Sequence, residues 1–318
     1  MLTYLGLMLT GSIVIFALYG LYCARAKHLP ALRERAWLTA GLSFVLAVVF
    51  GTVLARISYA LLMQELDFEY DGIEALWYLL EFDIDNVSFF GGAVGAVLGV
   101  WLANRLTRKG AVAAAMDAFA PFGALLVALF RLGEGFFGSY GTGANLPEGS
   151  PFAFFPFALE IKVDGGYSYW GWAIFALSAA FALLWAAVDF AFLRKNRRTG
   201  IRFSLAAFFL ALTQVLCESM RKRGMLWLFV HTEQVLCMVV VVAALLFWIL
   251  RSPASGVKRF LPLMATGVCI GLLVATEFAI DGKLFDLSHT VCYSFMCAVL
   301  AVIGVSGAVA VRRWSIQK

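Results

Sequence analysis

Nine runs of apolar residues, each close to 20 long and separated by short polar connectors, leave this chain very few possible folds. A helix needs about 20 residues to cross roughly 30 Å of hydrocarbon. Backbone inside lipid must also satisfy its own hydrogen bonds, which leaves helices or closed barrels. The runs lie near residues 2–24, 37–62, 87–103, 111–131, 170–193, 203–218, 226–250, 260–280 and 287–311. This spacing predicts an all-α, polytopic transmembrane helix bundle. Composition agrees, with 62% hydrophobic and 14% charged residues, against roughly 45–50% and 25% in soluble domains. One membrane domain and no sizeable soluble one are expected. The first run starts at Leu2 without a basic leader or a small-residue cleavage site, so it is expected to be a retained helix.

The connectors orient the bundle. Basic residues follow the first run (Arg25, Lys27, Arg33, Arg35), the third (Arg105, Arg108, Lys109), the fifth (Arg194, Lys195, Arg197, Arg198), the seventh (Arg251, Lys258, Arg259) and the ninth (Arg312, Arg313, Lys318). The loop after the second run is acidic, from Glu65 to Asp85. The positive-inside rule then predicts an outer N-terminus and a cytoplasmic C-terminus. The net charge of +5 lies in these loops and implies no nucleic-acid partner. Arg221, Lys222 and Arg223 stand on the outer side, against the rule. Either an anionic ligand accounts for them or the other basic loops outvote them. The six cysteines lie in or beside apolar runs without zinc-ligand spacing, so they are read as small apolar residues.

The stretch Leu129 to Gly143 carries the sharpest polar signal. An apolar helix acquires Arg131 and Glu134 and then breaks into glycines. An ionisable residue at membrane depth costs roughly 2.5–3.5 kcal/mol on insertion scales, which makes function the default reading. The glycines allow close approach to a ligand or positive φ angles. The alternative is a snorkelling arginine followed by an ordinary loop.

Other polar groups share that outer end. Arg56 lies in the second run, and Gln214, Glu218 and Arg221 fall on one face at the end of the sixth. His231 and Glu233 open the seventh. Three arginines with carboxylates between them suit a phosphate-bearing headgroup, or charge developing on a phosphate leaving group. The alternative is an ion-pair network that pins helices together. The segment Ser88 to Gly92, followed by Gly95 and Gly99, is read first as a close helix contact. Asp117 is read as a structural hydrogen-bonding residue, and His289 with Glu277 as a pair or a packing contact. Phe152 to Phe157 and Ile73 to Leu80 are apolar enough to lie at the interface. No P-loop, zincin motif, nucleophile elbow or dinucleotide fingerprint is present. The inverted repeats and broken helices of a transporter are not found either.

Together these stretches resemble the bacterial prolipoprotein diacylglyceryl transferases. Tyr4-Leu5-Gly6-Leu7-Met8 is similar to that family's Tyr-Gly-Leu-Met start, with one residue inserted. Leu54-Ala55-Arg56-Ile57-Ser58-Tyr59 resembles Gly-Ala-Arg-x-x-Tyr, and Ser88-Phe89-Phe90-Gly91-Gly92 resembles Ser-Phe-His-Gly-Gly. Asp117 to Pro121 matches Asp-x-x-Ala-Pro, and Phe130 to Gly143 is similar to the family's asparagine-bearing glycine stretch. Gln214, Glu218 and Arg221 answer Arg-x-x-x-Glu-x-x-Arg, and Glu233 to Cys237 answers Gly-Gln-x-Leu-Ser. The departures are specific: Phe90 replaces a histidine, Glu134 an asparagine and Gln214 an arginine, while a signature glutamate falls near Ser139. The His-Pro-x-x-x-Tyr-Glu segment is not recognisable around Tyr167 to Trp172.

The resemblance covers seven runs. It implies a transferase-like membrane domain over 1–250, with two added spans over 251–318. It implies an integral protein of the bacterial cytoplasmic membrane that moves diacylglyceryl from phosphatidylglycerol to the thiol of a lipobox cysteine in a secreted precursor. Arg56, Arg131, Arg221, Gln214, Gly91 and Gly92 would bind substrate. Glu134 or Glu218 would be the base or orienting group. No metal or organic cofactor is implied. The alternative is a non-catalytic or differently specific paralogue that binds an anionic lipid or a lipid-linked precursor.

Overall fold

The structure, a computed structural model, describes residues 2–26, 30–62, 87–108, 110–163, 167–193, 199–222, 226–227, 230–252, 256–284 and 287–315. The acidic loop and the segment Ile73 to Leu80 lie outside the described residues. Nine helices among them are long and apolar enough to cross a membrane. We label them α1 (Leu2–Ala24), α2 (Ala36–Leu62), α3 (Phe89–Thr107), α4 (Val112–Gly133), α5 (Ile174–Phe192), α6 (Ile201–Ser219), α7 (Thr232–Arg251), α8 (Val257–Ile280) and α9 (His289–Ser315). The protein is a multi-pass membrane protein built as a helix bundle.

Two helix starts expected from the apolar pattern give way to strands. The fifth helix starts at Ile174, not near residue 170, because Tyr167–Trp172 is strand β2, paired antiparallel with β1 (Ala158–Val163). The aromatic residues there (Tyr167, Tyr169, Trp170 and Trp172) favour a pleated strand. The seventh helix starts at Thr232, not near residue 226. The preceding residues form a small antiparallel pair, β3 (Leu226–Trp227) with β4 (Val230–His231). Apolar content alone does not distinguish these strands from the ends of helices.

Packing explains the helix order. Helices α2 and α3 form the closest pair, and small residues permit it. A Cβ placed on Gly95 would lie 2.8 Å from Gly51 Cα and closer still to Phe50 O, and one on Gly99 would lie 2.5 Å from Leu46 C. One apolar core joins α1 to α4 through Phe16, Tyr19, Val100 and Phe119. A second joins α6, α7, α8 and α9 through Phe208, Leu245, Trp248, Met296 and Ile303. Ala128 of α4 meets Ala179 and Ala182 of α5 between them. The six cysteines are free, five of them buried.

At the end of the bundle away from the glycine-rich stretch, Asp117 of α4 serves α6. Its carboxylate accepts from Gly200 N at 2.5 Å and Phe203 N at 2.9 Å. The first N–H groups of a helix have no partner within it, so a carboxylate from a neighbour caps them. Asp117 is therefore structural, as its sequence position suggested. Arg202 of the same helix pairs with Asp189 of α5.

The α2–α3 contact gives a direct test. Gly95→Val should lower stability by about 1–3 kcal/mol through overpacking. Gly41→Ala, where a Cβ meets nothing within 4 Å, should leave it unchanged. Thermal unfolding in detergent reads both.

Candidate functional site

The C-terminal ends of α4 and α6 meet the N-terminal ends of α3 and α7 at one end of the bundle. After Gly133, α4 tightens into a 3-10 turn over Glu134–Gly141. Glycine is required here for close approach to protein, not for positive φ. A Cβ on Gly141 would lie 2.9 Å from Phe175 Cβ, and one on Gly143 2.6 Å from Met220 O. The turn is therefore seated against α5 and the end of α6. Gly143 bridges Arg221, and Lys222 N donates to Thr142 O at 3.1 Å.

This seating builds a buried ion-pair network. Arg131 Nη1 donates to Glu134 Oε1 at 2.5 Å, and Nη2 to Glu218 Oε1 at 2.8 Å. Arg221 Nη2 donates to Glu134 Oε2 at 2.6 Å, and its Nε lies 3.3 Å from Glu218 Oε1. The Glu134 carboxylate thus bridges two guanidiniums, one on each oxygen. Glu218 also touches both. Glu233, from α7, lies 3.9 Å from Arg131 and accepts from Ser88 Oγ at 2.8 Å and Phe90 N at 3.1 Å. Phe89 covers the other side of Arg131, with its ring centroid 3.6 Å from the guanidinium carbon.

Electrostatics makes these residues interdependent. Charges buried in a low-dielectric site are tolerated only when paired, and removing one partner typically costs 3–5 kcal/mol. Three carboxylates face two guanidiniums, so the fully ionised set carries one negative charge in excess. For Arg221, burial opposes the charged form, but the Glu134 and Glu218 carboxylates outweigh it and raise the pKa above its ordinary value. Glu134 is the most open of the three acids, with 19% of its side chain exposed against 4% for Glu218 and 11% for Glu233.

Arg131, Arg221, Glu134 and Glu218, expected to act together, are in direct contact. Arg221 lies beyond the end of α6 and returns to Glu218 from a bridge with Gly143. Gln214 lies one turn before Glu218, accepts from Ser178 Oγ at 3.5 Å, and has a buried Nε2 without a partner among the described residues. Arg56 is buried on α2, its guanidinium 5.7 Å from the Tyr59 ring centroid. Gly91 and Gly92 pack against α2, where a Cβ on Gly91 would fall 2.5 Å from Leu54 O. The glycine pair is thus a helix contact beside the network. Lys222 does not join it and instead donates to Asn145 Oδ1 at 3.1 Å. Glu277 accepts from Gln234, a partner its sequence position did not suggest.

One contact of the site escaped the sequence reading. Glu233 was visible as a charge at a helix start, but its partner Ser88 is 145 positions away. Ser88 looked like the edge of a glycine contact. It is also the N-cap of α3, accepting from Gly91 N; the capping role suits a serine at that position, but spacing does not show a partner on another helix.

His231 supplies a pH test. Burial pushes its pKa below the ordinary value, Glu218 and Glu277 pull it up, and Arg221 pushes it down, with a net lowering. Its buried Nδ1 has no partner among the described residues. The unfolded imidazole titrates near ~6.5, so the unfolded chain takes up the proton first as pH falls. Stability conferred by neutral His231 is complete above that value and declines below it. The melting temperature should fall between about pH 7 and pH 5, and His231→Asn should flatten that fall.

The family described as prolipoprotein diacylglyceryl transferase matches residues 2–250. No curated protein matches the chain. The match covers α1 to α7 and ends one residue before the end of α7. The chain belongs to this family of transferases.

Proposed function

We propose that this member of the diacylglyceryl transferase family takes its diacylglyceryl group from phosphatidylglycerol and gives it to the cysteine thiol of a lipobox in a secreted precursor. The observation that carries this reading is the Glu134 bridge. A carboxylate held by two guanidiniums marks a place where a phosphodiester can accept the same charge-assisted hydrogen bonds. Arg131 and Arg221 would hold the phosphate, with Arg56 supporting. The Nε2 of Gln214, unpaired among the described residues, offers a donor to a lipid oxygen. Gly91 and Gly92, candidates from the sequence, keep α3 close enough to α2 for Ser88 and Phe89 to reach the network.

The chemistry follows from these groups. The thiol loses its proton to a carboxylate, since the thiolate is the nucleophile and a free thiol has a pKa near ~8.5. Sulfur then bonds to the terminal glycerol carbon of the diacylglyceryl group. The bond from that carbon to its phosphate oxygen breaks, and the electron pair leaves with glycerol phosphate. Arg131 and Arg221 stabilise the charge that develops there. Glu134, the most open acid, is the base in this scheme. Glu218, tied to both arginines, orients them.

We place the site at the outer face of a bacterial cytoplasmic membrane, with the N-terminus outside, as the distribution of basic loops favours. We assign residues 1–250 to the transferase domain and 251–318 to an addition. A second reading, a paralogue that binds an anionic lipid without turning it over, draws on Phe90 and Gln214, which stand where the family pattern has a histidine and an arginine.

A transfer assay separates the two. Purified protein, phosphatidylglycerol and a lipobox peptide should give a peptide carrying one diacylglyceryl group, read by mass. Arg131→Lys keeps the charge but loses the two-pronged contact, and should slow transfer by about a hundredfold, an effect in the range seen for loss of one transition-state donor. Binding without any mass gain in the wild type would favour the second reading.

A further inference from the structure

The hairpin α8–α9 lies outside the family match, and its apolar face is accounted for by the core it shares with α6 and α7. Its polar groups are not. Glu277 of α8 is buried within a membrane-spanning helix, a placement that calls for a functional reason. It accepts from Gln234 Nε2 at 2.7 Å. Tyr293 of α9 donates through its hydroxyl to Ser219 O at 3.3 Å. Gln234 follows Glu233, and Ser219 follows Glu218. At the other end of the hairpin Arg259 donates to Ile249 O and Leu250 O; at this end the contacts of Glu277 and Tyr293 land on the residues next to two of the three site carboxylates.

Geometry gives this coincidence a mechanism. Consecutive residues on a helix point about 100° apart. The first turn of α7 is thus held from two sides: Glu233 by Ser88 and Phe90 of α3, and Gln234 by Glu277 of α8. A helix start that is free to shift would move the Glu233 carboxylate relative to Arg131 and to the α3 N-terminus. We infer that Glu277, with Tyr293 in support, is a positioning residue of the arginine–glutamate site, and that the added hairpin completes a site the seven matched helices hold only from one side. The inference extends the proposed transferase reading, and one of its tests is independent of it.

The full-length chain is compared with Gln234→Leu/Glu277→Leu, Glu277→Gln and Tyr293→Phe. The double leucine variant replaces both polar partners with apolar groups, which often leaves stability unchanged or improved. It should keep its melting temperature yet lower kcat about tenfold, with KM for phosphatidylglycerol little changed, as expected when a catalytic group is misplaced by a fraction of an ångström. Glu277→Gln keeps an acceptor oxygen and should restore most of the rate. Tyr293→Phe should give a smaller loss of the same kind. A hairpin that only packs would leave kcat per folded molecule untouched, which would overturn the inference.

Hydrogen exchange provides the readout that needs no activity. The amides of Phe90 and Gly91 are protected by Glu233 and by the Ser88 hydroxyl that Glu233 holds. Their exchange should rise about tenfold in the double leucine variant through local opening, although both substitutions lie on other helices. Unchanged exchange at those amides would refute positioning whether or not the protein transfers lipid. Absence of transfer by the wild type would instead count against the transferase reading alone.

Discussion

Two arginine side chains buried at one end of a membrane bundle set the terms for the rest of this structure. A guanidinium cannot be stripped of its proton at physiological pH and is tolerated in a low-dielectric site only with anionic partners. Arg131 and Arg221 find theirs on three separate segments, at Glu134, Glu218 and Glu233. Meeting that requirement forces the end of α4 to tighten into a 3-10 turn and α6 to stop before Arg221. It also brings the first turn of α7 against α3. The β1–β2 hairpin is tied to the same region, since Gly143 N donates to Trp172 O and Leu146 N to Trp170 O.

Much of this was legible in the sequence, for identifiable reasons. Membrane spans announce themselves because each helix must be apolar over a fixed length. Arg131, Glu134, Glu218 and Arg221 stood out because charges near the ends of apolar runs are expensive. The strand Tyr167–Trp172 was less legible, because its aromatic residues suit a helix end as well as a pleat. The use of the glycines was hidden too: small residues signal close approach, but not whether a ligand or Phe175 does the approaching. The Ser88–Glu233 and Gln234–Glu277 contacts were beyond reach, because spacing reports neighbours within one helix and not partners across helices.

The departures from the family pattern gain a physical meaning in this arrangement. With Glu134 in place of an amide, a group that could only accept and donate weakly becomes an anion able to hold two guanidiniums at once. Glu233 adds a further carboxylate at a position where the pattern has glycine. In this chain three carboxylates pair with two guanidiniums at this end of the bundle. On the proposed reading, a lipid phosphate that enters would take over contacts now made by Glu134, and the displaced carboxylate would become available to accept a proton. Occupancy by phosphate and activation of the base would then be two sides of one exchange.

That exchange is open to a single measurement: the affinity of Glu134→Gln for phosphatidylglycerol, by native mass spectrometry in detergent, alongside its rate of transfer. An amide competes less well than a carboxylate for the two guanidiniums. The account therefore predicts binding at least as tight as in the wild type, together with a transfer rate lower by about a hundredfold, the size of effect typical of losing a general base. Loss of binding in step with loss of transfer would contradict it, and would make Glu134 a strut for the arginines and not the group that phosphate replaces.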